Sequence, residues 1–206
     1  MPREEKVKDY LLSELSDEDK PSAIWAEYRA LRVLGIPNEN LKKIVKPRLQ
    51  NFITNLNLSA VYHNHYLLKD VYYLLVMSRE LGIEIDESWK ETVTSFVLDL
   101  RDDGAFGSKI SKIKIVRLET TLYSVLILNE LGYGYRDGKT VKFIESNRNG
   151  ALWWSLPITR YALLALNSCG AKVEGKEEIV KALERRKCPY GFFLTLPTRI
   201  PSRGIR

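Results

Sequence analysis

The sequence predicts an all-α protein built from pairs of helices. Three observations lead to this prediction: strongly apolar segments that end on a glycine, amphipathic segments that alternate with them, and the absence of strand-like alternation or low-complexity linkers. Apolar residues three and four positions apart share one face of a helix, whereas a half-buried strand alternates at every second residue. A chain of 206 residues is long enough for a substantial core, so we expect one domain over residues 1–206.

The apolar segments indicate helices that neighbours cover on most sides. A glycine just past the last apolar residue favours the left-handed conformation that ends many helices. Residues 118–131 are apolar on nearly every side, as in a covered helix. Four such segments occur, at residues 25–35, 70–82, 120–132 and 158–170.

The amphipathic segments have one apolar stripe and one polar face. They lie at residues 7–15, 44–56, 93–100, 140–147 and 178–186. The alternation gives about nine helices, as four full pairs and a half-pair with a period of about 38 to 50 residues. Such pairs stack on their neighbours because no single pair buries its own apolar face.

A turn with a glycine and aromatic residues lies between the helices of the later pairs. Copies of it read RDDGAFGS, NRNGALWW and CPYGFFL, at residues 101–108, 147–154 and 188–194. The glycine and the aromatic residues recur but the acid pair does not, so we interpret Gly104 and Phe106 as architectural. Asp103 fits a turn or helix cap, and Asp102 is expected to face water.

Composition sets the range of partners. The net charge of +6 suits an anionic partner such as a diphosphate, a nucleic acid or a lipid headgroup, although mildly basic enzymes are also common. Nucleic acid is disfavoured because no motif that reads it occurs. The sequence contains no apolar run of about 18 residues, so it predicts no membrane span. The charged N-terminus and the lack of a disulfide framework from Cys169 and Cys188 predict a cytoplasmic location, and the single glutamine, Gln50, favours a thermophilic source.

Three of these segments resemble a known repeat. DGAFG, DVYYLLVMSRELG and ITRYALLALNSCG, at residues 103–107, 70–82 and 158–170, are similar to the repeat of protein prenyltransferase β subunits and squalene- and hopene-type terpene cyclases. The resemblance covers about residues 7–194 and implies an α/α toroid, with the apolar helices inside. Relatives close the ring with about six pairs, so it implies a partial ring here, open or closed by a second copy or a partner chain.

The catalytic motifs of these families are not retained. The β subunits hold a zinc ion with Asp, Cys and His, and the matching positions here are Thr120, Leu122 and Ile158. Asp70 opens an earlier apolar helix, but Tyr72 stands where the cysteine is needed. The cyclases protonate an alkene with an Asp-x-Asp-Asp motif, and no apolar helix begins with one. We therefore expect no metal and no cofactor.

Two sets of residues are candidates for binding. The resemblance makes Lys114, Arg117 and Tyr123 the counterparts of the residues that bind a prenyl diphosphate, and two cations with a phenol suit that group. The alternative is that the basic run at residues 109–117 is a solvated face. Candidates for a hydrophobic lining are Tyr72, Leu122, Trp153 and Trp154. For the tryptophans, as for Phe192 and Phe193, packing between helix pairs is the favoured alternative. His63 and His65 favour a turn or helix-start role over metal binding.

These patterns predict a toroid-like protein that binds a hydrophobic ligand, isoprenoid-like or a peptide, in its concave face. One alternative is a divergent prenyl-diphosphate-using transferase or cyclase-like enzyme that uses Lys114, Arg117 and Tyr123. Another is a scaffold that completes a ring with a partner chain or a second copy. The sequence leaves open whether the protein is an enzyme.

Overall fold

The structure, a computed structural model, describes residues 2–17 and 19–186, with only the backbone at residues 2–4, 16 and 17. This part of the chain is mostly helical, which confirms the all-α prediction. The α-helices are α1 (Pro2–Asp17), α2 (Pro21–Val33), α3 (Asn38–Asn55), α4 (Tyr66–Leu81), α5 (Glu87–Asp99), α6 (Lys114–Glu130), α7 (Gly138–Ser146), α8 (Leu156–Ser168) and α9 (Lys176–Glu184). A short 3-10 helix spans Leu58–Tyr62. Each predicted helix overlaps one of these nine, in the same order. Within the described residues, no helix combines the length and apolar character that a bilayer crossing requires.

The predicted signals for helix ends act as expected. The four closing glycines have positive φ angles between 58° and 80°. At the other end of a helix, the Asp137 carboxylate accepts a hydrogen bond from the Thr140 amide at 3.0 Å and begins α7. Ser155 likewise accepts from the Ile158 amide at 3.3 Å and begins α8. Side-chain caps thus mark the starts of α7 and α8, and glycines with positive φ follow the ends of α2, α4, α6 and α8.

The chain divides into two compact units by its contacts. Unit 1 comprises Met1–Asp99 and Ile127–Tyr133, and unit 2 comprises Leu100–Leu126 and Gly134–Arg206. Helix α6 contributes residues to both. The single domain over residues 1–206 stays a prediction, and each unit is described by itself.

Unit 1 is centred on helix α4. Helix α4 packs against α2 and α3, and α1 packs against α2 and α3. All residues from Asp70 to Ser78 are buried, and because successive residues differ by about 100° around a helix, α4 is covered on every side. At its surface, Glu80 accepts hydrogen bonds from the Tyr28 hydroxyl and the Arg32 guanidinium, both at 2.8 Å. This link fastens α2 to α4.

Unit 2 begins with a small hairpin at the RDDGAFGS turn. Strand β1 (Arg101–Asp102) pairs antiparallel with strand β2 (Ala105–Phe106). The two loop residues, Asp103 and Gly104, have φ angles of 42° and 83°, as tight two-residue hairpins require. A side chain at Gly104 would clash, since a Cβ there lies 2.4 Å from the Cβ of Lys139. The turn and its glycine were predictable, but strands of two residues are too short to show an alternating pattern. Asp102 is exposed, as predicted.

A threonine fixes the aromatic residue after each of two turns. The Phe106 amide donates a hydrogen bond to the hydroxyl oxygen of Thr121 at 2.9 Å. The Trp153 amide donates to the Thr159 hydroxyl at 3.1 Å, and that hydroxyl donates back to the Trp153 carbonyl at 3.1 Å. Each threonine stands eleven residues before the closing glycine of its helix. We call this arrangement the threonine clamp, and it shows that the turn repeats in three dimensions.

Candidate functional site

The three candidate anion-binding residues lie at different places around helix α6. Lys114 is exposed at its first position. The guanidinium of Arg117 lies 5.6 Å from the centre of the Phe143 ring. Tyr123 is buried, with its ring centre 5.1 Å from that of Tyr161. At about 100° per residue, nine positions amount to two and a half turns, so Lys114 and Tyr123 leave opposite sides of the helix. The diphosphate role of these residues stays a prediction.

The candidate lining residues are mostly buried in their own units. Leu122 and Trp153 are 0% exposed, Tyr72 is 8% exposed, and Trp154 is half-buried. The Trp153 indole donates a hydrogen bond to the Ile144 carbonyl at 2.8 Å. The role of all four in ligand binding stays a prediction. Phe192, Phe193, Cys188 and the turn at residues 188–194 lie outside the described residues.

The remaining candidates are the histidines and Cys169. Within residues 2–17 and 19–186, no cluster of three or more His, Cys, Asp or Glu side chains could hold a metal ion. His65 directly precedes α4 and its ring centre lies 4.1 Å from that of Tyr66, which confirms the helix-start role. Cys169 is buried, and burial raises the pKa of its thiol, so it is a poor nucleophile.

A groove in unit 2 has a hydrophobic wall. Helix α8 carries one fully packed stripe, which includes Ile158, Ala162 and Ala165. A second stripe of the same helix, together with one residue of α9, lines a cavity of about 410 Å³. We call this cavity the leucine groove, and its wall consists of Leu156, Thr159, Arg160, Leu163, Leu164, Asn167 and Leu183.

The leucine groove has few polar groups. The Thr159 hydroxyl is already engaged in a threonine clamp. Arg160 is exposed, and its guanidinium carbon lies 5.7 Å from the centre of the Tyr161 ring. Asn167 adds an exposed amide. The site therefore combines aliphatic walls with one cation. Sequence reasoning missed it, although a signal was present: Leu156, Leu163 and Leu164 of α8 lie outside the stripe that packs in the core.

A second cavity lies in unit 1, where helices end. It has a volume of about 490 Å³, and we call it the helix-end cavity. Its wall comes from the end of α4, the following loop, the start of α5 and the end of α6. The lining residues are Leu75, Ser78, Arg79, Ile83, Glu84, Ile85, Glu87, Lys90, Glu130 and Leu131. This site combines an apolar floor with five charged side chains. No sequence motif predicted it.

No family model, no curated protein and no solved structure matches the chain. The part of the chain that the structure describes is an all-α arrangement of helices, and the leucine groove and the helix-end cavity differ in their chemistry.

Proposed function

We propose that the protein is a binding module that holds a hydrophobic, isoprenoid-like ligand with an anionic head in the leucine groove. The observation that carries this proposal is the combination of a leucine wall with a single cation. A volume of about 410 Å³ lies within the range of small-molecule sites, about 300–1,000 Å³. The leucine side chains suit an aliphatic chain because they remove it from water.

The head group is inferred from Arg160. A guanidinium presents its N–H donors as a planar fork that fits phosphate oxygens, and it stays charged at any physiological pH. Arg160 is exposed at the groove and makes no ion pair with another described residue. An anionic head group therefore meets a free charge there, and the chain of the same ligand contacts Leu163 and Leu164.

Calorimetric titration with farnesyl diphosphate tests the proposal. Farnesol and inorganic diphosphate separate the contributions of the chain and the head. We expect Leu164→Asn to weaken binding of farnesyl diphosphate about tenfold, because a partly buried leucine contributes about 1.5 kcal/mol. Val180→Asn is the matched control, since Val180 lies on α9 outside the wall. Arg160→Gln should weaken binding of farnesyl diphosphate but leave binding of farnesol unchanged. Absence of heat with all three compounds, or an equal loss in the Val180 variant, refutes the proposal.

The other hypotheses from the sequence remain proposals of lower rank. The partial α/α toroid with a concave binding face is the arrangement that the family resemblance implies, and the helix order supports its alternation of pairs. An enzyme that uses Lys114, Arg117 and Tyr123 predicts turnover of a prenyl diphosphate that Lys114→Ala abolishes. A scaffold predicts that the chain associates with itself or with a partner, which sedimentation measures.

A further inference from the structure

We propose that the helix-end cavity of unit 1 binds an aliphatic polyamine. This site and its ligand are independent of the leucine groove. The argument rests on the charges of the wall, the helix ends, and one buried hydroxyl.

The charged side chains of the wall leave an excess of negative charge. Three carboxylates face two cations: Glu84, Glu87 and Glu130 against Arg79 and Lys90. Both cations are already engaged, because Arg79 pairs with Glu130, and Lys90 pairs with Glu87 at 2.9 Å. Among the described residues, Glu84 makes no ion pair. A cationic ligand is the complement of this wall.

The helix ends add partial negative charge in the same place. The last carbonyl groups of a helix lack intrahelical partners and favour a cation nearby. Helix α4 ends at Leu81 and α6 at Glu130, and both ends border the cavity. The protein itself uses this preference, since the Lys42 ammonium donates a hydrogen bond to the Gly82 carbonyl at 2.9 Å. An ammonium group is thus already bound to the residue that follows α4.

Ser78 is the independent observation. It belongs to the wall, is only 2% exposed, and its hydroxyl oxygen has no hydrogen-bond partner within the described chain. Buried polar atoms are nearly always paired, so an unpaired one in a cavity wall is a place where a ligand, an ion or a water molecule can supply the missing partner. An amine N–H supplies the missing partner.

The apolar residues of the wall define the kind of amine. Four aliphatic side chains lie among the carboxylates and suit methylene groups, whereas a metal ion gains nothing from them. A polyamine alternates charged nitrogens with short methylene chains and so matches both features. The cavity, at about 490 Å³, has room for such a chain.

Calorimetric titration of the full chain with spermidine tests this assignment. We expect Ser78→Ala to weaken spermidine binding about tenfold, because the variant loses a buried hydrogen bond to a charged group. The same variant should be at least as stable as the parent without ligand, since it removes an unpaired buried hydroxyl. A structural role for Ser78 predicts the opposite change in stability.

Glu84→Gln should weaken spermidine binding about two- to fivefold, as for an exposed ion pair. Glu91→Gln is the matched control, because Glu91 is exposed on α5 outside the wall and the charge change is the same. Octane-1,8-diol should not bind, and Mg²⁺ should not displace spermidine. The proposal is overturned if spermidine gives no heat at millimolar concentration, if Ser78→Ala binds like the parent, if the two glutamine variants behave alike, or if the diol or Mg²⁺ competes equally. Leu164→Asn should leave spermidine binding unchanged, so the two proposals fail separately.

Discussion

Replacing Thr121 with valine removes one threonine clamp while keeping the shape of the side chain. The hydroxyl oxygen accepts the Phe106 amide at 2.9 Å, in a buried position. This amide has no partner in the hairpin: the Gly107 amide donates to the Leu100 carbonyl at 3.0 Å, so the Arg101–Phe106 pair lies between the ladder bonds. In the variant, the Phe106 amide is therefore buried without an acceptor.

We expect Thr121→Val to lower the free energy of unfolding by about 1–3 kcal/mol, the cost of an unsatisfied buried donor. Thr120→Val is the control. Thr120 is equally buried and adjacent, but its hydroxyl donates only to the Val116 carbonyl one turn earlier, at 2.8 Å. Such a local bond adds little to helix stability, so this variant should change the free energy of unfolding by about 0.5 kcal/mol or less.

Urea unfolding followed by tryptophan fluorescence measures both variants. The slope of the transition should stay the same while the midpoint of the Thr121 variant falls. Thr159→Val should behave like Thr121→Val because it removes the equivalent clamp. Equal stabilities of the Thr120 and Thr121 variants would refute the clamp as a stabilising feature.

Three further predictions concern the turns and the titrating groups. Gly104→Ala should destabilise the protein by about 2 kcal/mol or more in urea unfolding, since it adds a clash to a positive φ. Gly150→Ala should cost only about 1 kcal/mol, because no atom lies within 4 Å of its Cβ; equal losses contradict the clash. Burial opposes ionisation of Asp137, but hydrogen bonds from Thr140 prevail and lower its pKa, so its stabilisation is present above about pH 4 and is lost as the pH falls. Between pH 6 and pH 3, the free energy of unfolding should fall less in Asp137→Asn than in the parent. In a Cys188→Ser variant, a thiol reagent at neutral pH should label Cys169 only after unfolding, and rapid labelling of the folded protein would contradict its burial.

The helices were predictable because their apolar periodicity and closing glycines are local signals. Some first turns were missed. Helix α3 begins at Asn38, and its buried stripe already includes Leu41, one turn before Val45. Helix α6 begins at Lys114, inside a basic run that reads as a solvated segment.

The two cavities were not predictable because each depends on which surfaces neighbouring elements cover. The leucines of α8 read as ordinary core residues until the packing shows which stripe is occupied. The helix-end cavity combines residues 75–90 with Glu130 and Leu131, and each of these segments is unremarkable alone. The sequence contains a repeat motif that indicates the family resemblance, but no motif that indicates either cavity.

The threonine clamp has a consequence for the order in which unit 2 gains its structure. Its two copies join residues only 15 and 6 positions apart. Short loops close in well under a microsecond, and closing them costs less entropy than bringing distant segments together. Each turn can therefore lock onto the start of its following helix before later segments of the chain exist. During synthesis, the growing chain would form tertiary contacts stepwise from its N-terminal side. Little apolar surface would then stay exposed while more distant segments are made.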